Sequence, residues 1–192
     1  MPLSEQTLGA GRLPTGAWCI DPSTSSVRFT IKHFALAKLS GHFTQFAGAL
    51  ELGEQGASAA GSVLAASIDT GEEVRDAHLR ESSDFFDVER HPEISFRSTR
   101  VLIGAPRGLR VEGELTMRGI TREIALQGEL REDAPGQAGE PRIAIELRGE
   151  LNRKDFGLTW NQALDAGGAL LGNKVKIELS LSASPDRGEP GV

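Results

Sequence analysis

The chain has 192 residues, 39% of them hydrophobic and 25% charged, with a net charge of −6 and a pI near 5.3. That balance belongs to one globular domain, and its acidity argues against a nucleic-acid surface, which is ordinarily basic. No apolar run approaches the ~18 residues of a membrane span, the first residues lack the apolar stretch of a secretory signal, and the one cysteine, Cys19, excludes an internal disulfide; the cytoplasm is the expected location.

Residues 1–16 are rich in Gly, Pro and polar side chains and are expected to form a loose tail. GAGRLP at Gly9 lacks the third glycine of a dinucleotide fingerprint, because Pro14 stands in its place. Trp18 to Asp21 is a short apolar stretch ended by Pro22. A period of two then sets in. Val27, Phe29, Ile31 and His33 share one face, and Arg28, Thr30 and Lys32 the other. Lys38 to Leu52 is a second long run, with Gly41 and Gly48 as bends. Ser62 to Ile68 leads into IDTGEEVRDAHLRESSDFF, the one helical segment, expected over about 72–82. Asp69 or Thr70 is expected to cap it. Val74, Ala77 or His78, and Leu79 are expected to form its apolar face. Beyond His91–Pro92, Ile94 and Phe96 share a face of the next strand. Leu109, Val111, Leu115 and Met117 then alternate with charged partners, and Gly119–Ile120 marks a reversal. Ile124, Leu126 and Leu130, then Ile143, Ile145, Leu147 and Leu151, repeat the alternation. After an irregular stretch with a turn expected near Gln162–Leu164, Val175, Ile177, Leu179 and Leu181 make the last strand. Residues 185–192 are expected to form a second tail, leaving 17–184 as the domain.

About eight one-sided strands joined by short loops imply antiparallel neighbours. Closing them into a barrel buries every apolar face and removes exposed edges. The expected fold class is therefore all-β: an eight-stranded antiparallel barrel with one short helix beside it. Strands of ~11 residues give an interior roughly 35 Å long, suited to a long, thin, apolar molecule. Gly113, Gly128 and Gly149 fall on inward faces, where they either permit coiling or leave space.

Several stretches carry a resemblance: WCIDPSTSSVRFTIKH, GHFTQFAGAL, IDTGEEVRDAHLRESSDFFDVERHPEISFRSTRV, GELTMRGITREI and LNRKDFGL. Over Trp18 to Ala183 the chain resembles the YceI-like family of bacterial lipocalin-like proteins. It departs at Thr24–Ser26, where members often carry His-Ser. The resemblance implies an extended lipocalin-like barrel whose pore binds polyisoprenoids or similar long-chain, fatty-acid-like lipids, and members that are often homodimers. Arg75, Asp76 and His78 match the family's R-D-x-H-L motif, and Arg153 and Asp155 its R-x-D-F-G pattern.

The ligand-contacting candidates are His33, Arg75, Asp76, His78, Arg153 and Asp155 among polar residues, and Phe29, Ile31, Leu115, Leu126, Ile145 and Ile177 among apolar ones. Arg guanidinium groups suit carboxylates and phosphates, although an internal pair of Arg75 with Asp76 or Asp155 is the favoured arrangement. His42 and His91 are expected at the surface. No H-E-x-x-H, C-x-x-C, P-loop or G-x-S-x-G occurs, so no metal, cofactor or catalytic residue is expected. Asp76 and His78 acting as an acid–base pair, or a barrel without ligand, are the alternatives to a lipid binder.

Overall fold

The computed structural model describes residues 15–34, 37–54, 56–104, 106–136, 139–162 and 170–186. Residues 1–14 and 187–192, the bulk of the two expected tails, lie outside the described residues, as do Ala163 and Leu164 of the turn expected near Gln162–Leu164. In chain order the elements are β1 (Gly16–Ile20), β2 (Ser26–His33), β3 (Ala37–Phe43), β4 (Phe46–Gly53), β5 (Gly56–Leu64), the two-residue β6 (Ile68–Asp69), helix α1 (Glu73–Glu81), β7 (Glu93–Gly104), β8 (Gly108–Met117), β9 (Ile120–Asp133), β10 (Arg142–Asn152) and β11 (Leu171–Pro185).

β1 and β2 are halves of one long strand, broken by a 3₁₀ turn at Pro22–Thr24. β3 and β4 are halves of a second, separated by Thr44 and Gln45. β1 pairs with β4 and β2 with β3, while β11 pairs with both β1 and β2 on the other side. The ring then runs through β5, β7, β8, β9 and β10 to β11, every pairing antiparallel. Among the described residues it is a closed eight-stranded barrel, as the alternation implied, with one α-helix. Its strands take in one residue more at each end than expected: Gly16 pairs with Leu52, and Pro185 with Trp18.

Two irregularities reset the inward phase. Trp18, 1% exposed, faces in from β1; after the Pro22 break the inward residues are Val27, Phe29 and Ile31. In β7 a bulge between Ser98 and Arg100 moves the phase from Ile94 and Phe96 to Val101 and Ile103. The β8–β9 reversal is centred on Arg118 and Gly119, one residue earlier than expected, and both have positive φ (53° and 71°). Such a pair makes the hairpin turn whose twist matches the strands. Arg118 is held there by donating to the carbonyls of Gly157 and Ser83.

The break at Pro22 is pinned by Asp21. Its carboxylate accepts from Ser23 N (3.0 Å), Ser23 Oγ (2.6 Å) and Arg142 Nη2 (2.6 Å). The Ser23 hydroxyl, aided by the Arg142 guanidinium, holds the acid down at about 2. Because the folded value lies below the unfolded one of about 3.9, the resulting stability is fully present above pH ~4 and is lost as the pH falls through about 2. Solvent around this part-buried pair keeps the contribution to about 1 kcal/mol. Denaturant midpoints of Asp21→Asn and the parent should therefore differ at pH 6 and converge toward pH 2. A constant gap would show that the carboxylate's charge is not the stabilising feature.

Inside, one cluster packs around Trp18, Leu109, Leu126, Ile143 and Ile145, near the end where β1 begins. A second packs around Phe43, Ile68, Phe85, Met117 and Phe156, at the end bearing α1. Outside, β8 presents Arg110, Glu112 and Glu114, and β9 Glu123, Gln127 and Glu129, half-buried or exposed. That polarity is opposite to a barrel embedded in lipid. Among the described residues no helix is long and apolar enough to cross a membrane.

Candidate functional site

The chain leaves the barrel after Leu64 and returns at Glu93, and these two residues face each other in the β5–β7 ladder. The excursion between them carries β6 and α1. β6 adds two rungs to β3, His42↔Asp69 and Phe43↔Ile68. The helix cap differs from expectation. Glu72 is the N-cap, its carboxylate accepting from Val74 N and Arg75 N at 3.0 Å, while Asp69 accepts from Gly71 N just before it. The expected apolar face is also corrected, since Val74 is 78% exposed and Asp76 is the buried residue of the helix.

Asp76 and Arg75 converge on Thr70. The Asp76 carboxylate accepts from Thr70 N at 3.0 and 3.1 Å and from its hydroxyl. Arg75 donates from Nε to Thr70 Oγ1 (2.7 Å) and from Nη2 to Thr70 O (3.0 Å). The pair favoured from sequence is thus replaced by a shared threonine, since Asp76 faces the turn before α1 and Arg75 Nε and Nη2 go to Thr70, with Nη1 4.0 Å from the Glu72 carboxylate. Removing a buried charged acceptor strands its donors. Asp76→Ala is expected to cost about 2–3 kcal/mol of unfolding free energy, read as a lower denaturant midpoint; an unchanged midpoint would show that the turn holds without it. His78 takes different partners, with its ring edge-on to Phe85 (5.3 Å) and Trp160 (5.9 Å).

The barrel encloses a cavity of about 290 Å³, near the lower end of small-molecule sites, ~300–1,000 Å³. It reaches from Leu52 and Leu130 to Leu79, Phe85 and Leu158 under the excursion. Among the described residues, its polar lining residues are Arg28, Ser62, Ser95 and Arg153. Of the candidates read from sequence, Phe29, Ile31, Leu115, Leu126, Ile145, Ile177 and Arg153 line it. His33, Arg75, Asp76, His78 and Asp155 are not among its lining residues. His33 lies at the tip of β2, stacked edge-on against Phe34 at 4.3 Å. Asp155 is exposed on the turn after β10. His42 is exposed, 3.9 Å from Asp69, while His91 is half-buried rather than at the surface.

Sequence reading missed what makes the room. On the inside of the β4–β5 hairpin, Gly48 faces Gly61, Leu50 faces Ala59 and Leu52 faces Ala57. Ala57 and Ala59 leave that wall thin, whereas a Cβ at Gly48 or Gly61 would crowd Ile20 Cγ1 (3.0 Å) or Ala47 O (3.2 Å); alanine at alternate positions in GASAAG is the signal that marks it. Phe85 and Phe86 from the excursion were missed as well, because their position depends on where the chain folds back. The inward glycines do not leave space. A Cβ on Gly128 would stand 1.7 Å from Glu146 O, one on Gly149 would meet Leu126 Cδ2 at 2.5 Å, and one on Gly113 would meet Arg97 O at 2.4 Å.

The R-x-D-F-G stretch folds as a 3₁₀ turn, Arg153–Phe156, capped by Asn152 and ended by Gly157 at φ 74°. Phe156 is buried in the core. Arg153 is 3% exposed and staples the segment to β11. Its Nε donates to Gly172 O (2.9 Å), and Nη1 donates to Leu158 O (2.6 Å) and Trp160 O (2.8 Å).

A closed up-and-down barrel around an apolar interior, capped by one helical excursion, defines a lipocalin-like class of β-barrel. The chain belongs to the YceI-like domain family, whose sequence model matches residues 18–183. Two UPF0312 proteins of Staphylococcus aureus are 34% and 35% identical to it over 168 residues, 85% of this chain and 95% of theirs. Among solved structures, Burkholderia cenocepacia BcnA superposes with a TM-score of 0.71 at 19% identity, over 85% of this chain and 98% of BcnA. A domain from Saccharophagus degradans, described as polyisoprenoid-binding, gives 0.67 at 14% identity, over 88% and 98%. At these identities the structures speak for the fold.

Proposed function

We propose that this protein is a lipid-binding barrel. It takes the chain of a polyisoprenoid, such as a prenyl diphosphate or prenyl quinone, or of another long-chain amphiphile, into its interior for sequestration, storage or transport. The observation that carries the reading is the apolar cavity that extends between the two ends of the barrel. Burial supplies the affinity, at about 25 cal/mol for each Å² of apolar surface taken from water. Membership of the YceI-like family and the polyisoprenoid-binding description of the Saccharophagus neighbour support the choice of ligand class. Asp76 is engaged by Thr70 and His78 by aromatic rings, an arrangement that favours binding over acid–base chemistry. The test is mass spectrometry of organic extracts from the purified protein, with titration of the delipidated protein by prenyl lipids. A stoichiometric long-chain lipid and saturable binding are expected. Clean extracts with no saturable binding would overturn the reading.

A further inference from the structure

Among the described residues, Arg153 is a buried cation with no anionic partner. Three carbonyl oxygens satisfy Nε and Nη1, while Nη2 is buried with no acceptor. Among the described residues no carboxylate pairs with this guanidinium. An arginine keeps its charge in proteins, and burying a charge unpaired costs several kcal/mol. Burial here pulls the proton affinity of Arg153 downward. The residue also lines the cavity, at the end covered by the excursion and beside Leu151, Leu158 and Leu171. The other charged lining residue, Arg28, is exposed to solvent, and among the described residues no acidic one lines the cavity.

Given the lipid-binding reading, on which this rests, we infer that the ligand is an anionic amphiphile. Its carboxylate or phosphate head seats against Arg153 inside the barrel, and its tail runs toward Leu52 and Leu130. A head-group oxygen supplies the acceptor that Nη2 lacks, and the neutral remainder of the wall takes the chain. The bound lipid then has one orientation, fixed by a side chain whose other donors are already committed to the backbone.

Affinity of the delipidated full chain is measured for two pairs that share a tail and differ in the head: hexadecanoic acid against hexadecanol, and farnesyl phosphate against farnesol. At least one acid should bind about tenfold or more tightly than its alcohol, as a charge-assisted hydrogen bond implies. The pair with the larger preference tells a carboxylate head from a phosphate. Arg153→Met should erase the preference by weakening the acid while leaving the alcohol unchanged. Because that variant also loses the staple to Leu158, Trp160 and Gly172, the Arg153 side-chain nitrogen resonances of the parent protein are followed too. They should shift with the acid and not with the alcohol. Equal binding of acid and alcohol overturns this inference and leaves the barrel reading standing. A preference that survives in Arg153→Met, or Arg153 resonances that do not move, places the head elsewhere and overturns it as well. Binding of none of the four overturns both.

Discussion

Gly128→Leu is expected to prevent stable folding, and Gly128→Ala to do nearly as much damage. Gly128 lies on β9 opposite Leu147 of β10, and a Cβ there would sit 1.7 Å from the carbonyl oxygen of Glu146 and 3.0 Å from Leu147 Cα. The obstacle is the backbone of the paired strand rather than a side chain that could turn aside. Relief requires the β9–β10 ladder to separate, in a ring where each strand closes the next. A loss of about 4 kcal/mol or more places the change among the rare severe ones, against a typical total of 5–15 kcal/mol for a domain. Loss of soluble protein, or a collapse of the melting temperature in both variants, is the expected result. Near-parental melting of Gly128→Ala would mean that the strands do not approach this closely.

Ala59→Leu should do the opposite, keeping the fold while removing the space. Ala59 faces inward on β5, across from Leu50, on the thin wall of the cavity. Three further carbons there enter a void of about 290 Å³ rather than a packed core, so the overpacking penalty of about 1–3 kcal/mol should not arise. Each buried methylene instead contributes about 0.8 kcal/mol, and the melting temperature should hold or rise. Uptake of a long prenyl chain should fall about tenfold or more, since filling the site removes apolar surface the ligand would otherwise cover. Unchanged binding would show that the chain does not pass this wall. A destabilised variant would show that the void is smaller than the geometry indicates.

The barrel was legible because long stretches of β8 to β11 alternate apolar residues with polar ones, many of them charged, such as Arg110, Glu112 and Glu114 on β8 and Glu146, Arg148 and Glu150 on β10. β7 was harder to read: the bulge at Ser98–Arg100 changes the inward phase within one strand, so Val101 and Ile103 cannot be extrapolated from Ile94 and Phe96. The glycines were ambiguous for a related reason. A glycine on an inward face signals either room or close approach, and only the register shows which. At Gly128 and Gly149 it is close approach, and at Gly48 and Gly61 too a Cβ would be crowded, 3.0 Å from Ile20 Cγ1 and 3.2 Å from Ala47 O; the room on that wall comes from Ala57 and Ala59. Arg153 stood out by motif, but neither its burial nor the lack of an acid partner among the described residues follows from a position just beyond the end of a strand. Arg75 and Asp76 were recognised as structural in tendency, whereas Thr70, the residue that joins them, carries no periodic or charge signal.

The excursion from Leu64 to Glu93 departs from and returns to directly facing rungs of the β5–β7 ladder. The ring is complete without it, so the excursion is topologically a long hairpin loop folded over the barrel's end. Its two rungs with β3 and its packed side chains can separate while every rung of the eight-strand ring stays paired. Local opening therefore has its own free energy, below that of global unfolding. The barrel and its cover are expected to open as two units, and amide exchange should divide along that line, with the α1 region protected less than β8 to β10.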